Sequence, residues 1–146
     1  MRTPASIAGH PIHPMLITIP VGLLIFSLVC DLIALLSSQP DVWLLVAFFT
    51  MVGGFIGALI AAIPGVIDLM SISDSTIKKI GLTHMALNVI AVTLYVVNIW
   101  LRIDGTSSSA PLILSVIAVS LLGVSGWLGA EMVHRHGVGV DIKNVK

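Results

Sequence analysis

Residues 43–67 read WLLVAFFTMVGGFIGALIAAIPGVI, a run without one charged side chain. A helix crossing the hydrocarbon core of a bilayer needs roughly 20 mostly apolar residues, and this run exceeds that length. Its apolar positions do not alternate with polar ones, so a strand is a poor description of it. Working outward, three further runs share its character: Pro14–Leu36, Ile77–Leu101 and Pro111–Val133. Lipid offers no partner for an open backbone, which leaves helices as the economical form for all four. The expectation is an all-α integral membrane protein with spans over 14–36, 43–67, 77–101 and 111–133.

Composition points the same way. Only 10% of the 146 residues are charged, against about 25% in an ordinary soluble domain. The connections Ser37–Val42, Asp68–Thr76 and Arg102–Ala110 are short, so successive helices should be antiparallel neighbours in one domain over 1–146. That predicts an antiparallel four-helix transmembrane bundle. The first run is longer than a signal h-region and no A-x-A site follows it, so it is expected to stay as an anchor. No repeat stands out strongly enough to claim internal symmetry.

Orientation follows from the cations. Arg2, Lys78, Lys79, Arg135, Lys143 and Lys146 share one side, and the opposite connections carry only Arg102. The positive-inside bias then predicts an inner-membrane protein with both termini cytoplasmic. Zero net charge and the lack of a basic run argue against nucleic acid as a partner. Cys30 is the only cysteine and implies no disulfide.

Polar residues inside spans are costly and normally face the bundle interior. In the third span His84, Asn88, Ala91, Tyr95 and Asn98 follow a four–three rhythm, which makes one seam along the helix. Pro20, Leu24, Ser27 and Asp31 repeat the rhythm in the first span. Counting the rise per residue places Asp31 and Tyr95 at similar depth, where a hydrogen bond would satisfy the carboxyl. The seam reads as interhelical glue or, with Asp31, as a proton path. Small residues mark close packing: Gly53, Gly54, Gly57, Ala58, Ala61 and Ala62 in the second span, and Gly123, Gly126 and Gly129 in the fourth. Such faces pack within a monomer or across a homo-oligomer.

All five histidines should collect at one end. His10 and His13 precede the first span, His84 lies near the start of the third, and His134 and His136 follow the fourth. Proline after each of His10 and His13 biases both away from helix. A polyproline-like stretch would aim both imidazoles the same way. Pro14 suits the first residue of helix one. Asp68 and Glu131 should lie close by, and histidine with carboxylate is a ligand set for zinc, iron, copper or nickel. The candidate metal ligands are therefore His10, His13, His84, His136, Asp68 and Glu131, with the carboxylates equally able to orient imidazoles. Interfacial histidines without a ligand remain the plain alternative.

The motifs Gly9-His10-Pro11-Ile12-His13-Pro14, Pro64-Gly65-x-x-Asp68, His84-x-x-x-Asn88 and the stretch Gly129–Val140 carry a resemblance over nearly the whole chain. It is to the bacterial four-span inner-membrane family known as domain of unknown function 2231. By that resemblance His10, His13, Asp31, Asp68, His84, Asn88, Glu131 and His136 fall on motif positions. His134 stands where the family often has an aromatic residue, and Ala130 where glycine is common. Some relatives are joined to Rieske-type or cytochrome-type domains, which implies a place near electron transfer and a redox-protein partner.

This chain has no C-x-x-C-H haem-attachment motif. A redox centre of its own would be a b-type haem, with His84 and either His13 or His136 as axial ligands, or a bare transition metal. A small proton-coupled transporter or channel using Asp31, His84, Asn88, Tyr95 and Asn98 as a polar path, and a cofactor-free scaffold for a redox partner, are the other readings. No nucleophile–base arrangement, phosphate loop or nucleotide fingerprint appears in the sequence.

Overall fold

The computed structural model describes residues 3–105 and 108–140. Arg2, Lys143 and Lys146, counted above for orientation, lie outside the described residues. A short helix α1 (Ile12–Leu16) and helix α2 (Thr18–Leu36) meet at Ile17, which is itself helical, and together form the first span. Helices α3 (Pro40–Ser71), α4 (Ser75–Ile103) and α5 (Ala110–His134) supply the other three. Each is long and apolar enough to cross a membrane. The chain is an antiparallel four-helix transmembrane bundle.

The helices overrun the apolar runs and the connections shrink accordingly. At 32 residues α3 is about 48 Å long, well beyond a hydrocarbon core of about 30 Å. Hydropathy marks where lipid lies, whereas helix ends are set by caps. The Asp74 carboxylate accepts from the backbone of Thr76 at 2.8 Å and Ile77 at 3.0 Å, which starts α4. Pro40 and Pro111 sit in the first turns of α3 and α5. After α5, Val138 N–H reaches back to Met132 O at 3.0 Å across Gly137, whose φ of 63° only glycine adopts without cost.

Packing divides the bundle into two hairpins, α2 with α3 and α4 with α5, and contact between the hairpins is sparser. The interior is small and polar: Ser27, Asp31, Asn98, Ser115 and Ser125 are buried beside Leu24, Met51, Tyr95 and Ala118. Phe49, Ile63 and Trp127 point outward. That is the polarity of a protein whose solvent is lipid. Close approach within the first hairpin depends on Gly54, where an added Cβ would fall 2.7 Å from Leu24 Cγ and 3.2 Å from Pro20 O. Gly54→Ala is expected to cost about 1–3 kcal/mol as an overpacked contact, measured by unfolding in mixed micelles. Gly53 and Gly57 also face α2, against Leu23 and Pro20, so these α3 glycines pack within the first hairpin.

One element departs from the expectation. Instead of a polyproline-like run, strand β1 (Ser6–Ile7) pairs antiparallel with β2 (His10–Pro11). The two-residue turn between them, Ala8 and Gly9, has positive φ at both positions, as the tightest hairpins require. Proline at 11 is tolerated because β2 is an edge of a two-stranded ribbon. Helix α1 then begins at Ile12, before Pro14, so His13 is helical despite the proline that follows it.

Candidate functional site

Of the five histidines, the fold brings two together. His13, in the first turn of the first span, and His84, in the second turn-pair of α4, meet with ring centres 6.3 Å apart and planes at 88°. Each ring is fixed in the same way by the helix beside it. His13 Nδ1 lies 2.7 Å from the carbonyl of Ala61 on α3. His84 Nδ1 lies 2.8 Å from the carbonyl of Ser125 on α5. A carbonyl only accepts, so both Nδ1 atoms carry the proton and donate. In the neutral rings both Nε2 atoms are then unprotonated, the form that binds metals, and that of His84 accepts from the Asn88 amide at 3.1 Å.

The neighbouring helices make room for these rings with glycine. A Cβ on Gly65, four residues after Ala61, would sit 2.8 Å from His13 Nδ1. One on Gly129, four residues after Ser125, would sit 3.4 Å from His84 Cε1. Asn88 completes the setting: its amide nitrogen donates to His84 O at 2.9 Å and to His84 Nε2 at 3.1 Å. The Ser125 hydroxyl, 2.9 Å from His84 Nδ1, also donates to His84 O at 3.3 Å. Neither Gly65 nor Ser125 was singled out in the sequence as part of a site. The Pro64-Gly65 motif was the available signal for the first, and Ser125 gave none.

The other candidate ligands go elsewhere. Asp68 is buried, and its carboxylate accepts from Ala5 N–H at 2.9 Å, tying the N-terminal hairpin to the end of α3. Glu131 pairs with Arg135 one turn on, at 2.9 Å. His10 is exposed on β2 and lines an apolar cleft of about 340 Å³ with Pro14, Val133 and Val138. His136 sits in the turn that ends α5, and His134 is exposed beside it. Among the described residues no three histidine, cysteine or carboxylate side chains gather as a metal centre. Of the six residues expected as ligands, the fold brings His13 and His84 together, while the Asp68 carboxylate takes Ala5 N–H and Glu131 takes Arg135.

The buried polar seam lies at the other end of the bundle. Asp31 Oδ2 accepts from Arg102 Nη2 at 2.6 Å, and the two side chains are 3% and 11% exposed. Burial that complete makes the pair part of the interior. Arg102 Nε donates to Asn98 Oδ1 at 2.8 Å, and Asn98 donates to Pro111 O at 2.7 Å and to Ser115 Oγ at 2.9 Å. The expected Asp31–Tyr95 hydrogen bond does not form: the Tyr95 hydroxyl and Asp31 Oδ1 are buried without a protein partner. Arg102, read from the sequence as a loop cation, reaches back into the span and takes the carboxylate.

Neither the curated proteins nor the solved structures offer a match to this chain. A family model described as "Predicted membrane protein (DUF2231)" matches residues 9–142, from the glycine of the N-terminal turn to just beyond the last capped helix. The match takes in both histidines, the glycines beneath them and the Asp31–Arg102 pair, so the chain belongs to the DUF2231 family of predicted membrane proteins.

Proposed function

We propose that the protein binds a transition-metal ion between His13 and His84, as a bare ion or as the iron of a b-type haem, and serves electron transfer. The observation carrying this reading is the pair of imidazoles 6.3 Å apart, each with Nδ1 donated to a backbone carbonyl. Ligand histidines commonly have their second nitrogen engaged in this way, which fixes the tautomer and the ring direction. Two imidazoles on opposite sides of one ion, each about 2.0–2.1 Å from it, have ring centres roughly 6 Å apart. A closed four-ligand zinc site is disfavoured, since no third ligand joins the pair among the described residues. Copper, or haem iron taking two axial imidazoles, asks for two protein ligands and fits better. The bare ion needs less room between the helices.

A redox role also draws on what the family resemblance implies. The transport reading is weakened by Asp31, which an ion pair with Arg102 holds in place. As for orientation, Lys78, Lys79 and Arg135 lie at the histidine end, while Arg102 at the other end is neutralised by Asp31. That distribution supports the inner membrane with cytoplasmic termini and the pair near the cytoplasmic face. An oligomer would use α5, where Gly123 and Gly126 meet nothing within 4 Å.

The test is elemental analysis with an optical spectrum on protein purified in mild detergent. About one metal per chain, or a Soret band, is expected in the wild type and in His136→Ala. Both His13→Ala and His84→Ala should lose it. A colourless, metal-free wild type refutes the reading.

A further inference from the structure

The two hairpins place equivalent contacts at a constant offset in the chain. From the first span to α4 that offset is 71 residues: 13 to 84, 27 to 98 and 31 to 102. The buried residues Pro20, Leu24 and Ser27 of α2 map onto Ala91, Tyr95 and Asn98, buried in α4. From α3 to α5 the offset is 64: Ala47, Met51, Gly54 and Ala61 map onto Pro111, Ser115, Ala118 and Ser125. Those last four are all the buried residues of α5.

The bonds repeat as well. His13 to Ala61 O becomes His84 to Ser125 O. Ser27 to Ala47 O, at 2.7 Å, becomes Asn98 to Pro111 O, also at 2.7 Å. Gly65 beneath His13 becomes Gly129 beneath His84. Nothing in the amino-acid identities alone demanded this, and the sequence reading found no repeat. The conserved feature is which positions are buried and which carbonyls accept.

We infer that the chain is two copies of one helical hairpin, related by a pseudo-two-fold axis along the bundle, and that Asp31 and Arg102 are the lock that positions His13 against His84. Each member of the lock lies 18 residues beyond its histidine, about 27 Å along the helix. The axis therefore passes between two pairs of equivalent residues, the imidazoles at one end and the ions at the other. Two identical residues at the ionic end would place like charges in contact. The chain instead carries opposite signs there, which turns self-repulsion into the one ion pair between the hairpins among the described residues, across an otherwise sparse interface. That bond fixes how far apart and at what rotation the hairpins stand, and so whether the imidazoles meet. The positioning role bears on metal binding only through the reading above, but the geometry can be tested without a metal.

In full-length Cys30→Ala protein carrying His13→Cys and His84→Cys, a short bifunctional thiol reagent should link the two positions within one chain. Asp31→Arg and Arg102→Asp, each alone, are expected to slow that reaction by about tenfold. Combining them exchanges the charges across the axis and should restore the rate. If the single reversals do not reach the membrane, Asp31→Asn replaces them, with slower linking again expected. Unchanged linking in the single variants or in Asp31→Asn overturns the lock. A charge exchange that fails to restore linking overturns the equivalence of the two positions. If the cysteine variant links as expected and responds to the charge reversals while the wild type holds no metal, the metal site alone is refuted.

Discussion

Arg102→Ala is expected to remove about 3–5 kcal/mol of stability, the largest loss for any single truncation in this bundle. The Asp31 side chain is 3% exposed and keeps only Ser115 Oγ, at a long 3.4 Å, once the guanidinium is gone. An uncompensated carboxylate in a low-dielectric interior is costly, and Asn98 Oδ1 loses its donor in the same step. Replacing both ions, as in Asp31→Leu with Arg102→Leu, should recover most of the loss, because the desolvation of the charges disappears with them. Unfolding in mixed micelles distinguishes these outcomes. A loss below about 1 kcal/mol for Arg102→Ala would mean that the pair behaves as a solvated surface bridge.

Gly65→Ala should have the second largest effect, and a different one. The new methyl would fall 2.8 Å from His13 Nδ1 and 2.9 Å from its Cε1, so the ring must move off the Ala61 carbonyl. The expected cost is about 1–3 kcal/mol in stability and about 10–100-fold in affinity for a metal held by the pair. Gly129→Ala is the internal control. Its methyl would lie 3.4 Å from His84 Cε1 and 3.7 Å from Nδ1, distances a small shift accommodates. Metal titration of the two variants reads the difference directly. Equal effects would show that the glycines serve helix packing in general and not the imidazoles.

The span count, the bundle and its inside-out polarity were legible because they rest on hydrophobic length, which is a local property. Helix ends were less so: caps such as Asp74 and Gly137 act through a few backbone bonds that hydropathy does not register. The convergence of His13 and His84 followed from counting crossings. The partners of the two carboxylates were not legible: Asp68 takes the backbone of Ala5, 63 residues away in the chain, and Glu131 takes Arg135 one turn on. Arg102 was misjudged for a simple reason: its long side chain carries the charge back into the span from the helix end. The repeat stayed hidden because the two hairpins share burial and acceptor carbonyls while differing in side-chain chemistry. Serine at 27 and asparagine at 98 do the same work with different groups.

The central claim of the proposal is that two imidazoles, each held through Nδ1, present unprotonated Nε2 atoms to one ligand, which takes the place of the Asn88 amide on His84 Nε2. Nitrogen NMR on histidine-labelled protein in detergent micelles reads ring protonation directly, without needing a bound metal. The account predicts that His13 and His84, identified by their loss in His13→Ala and His84→Ala, carry the proton on Nδ1, and that one equivalent of added metal shifts both Nε2 signals together. Protons on Nε2 in the metal-free protein, or a metal-induced shift at only one of the two rings, would contradict it.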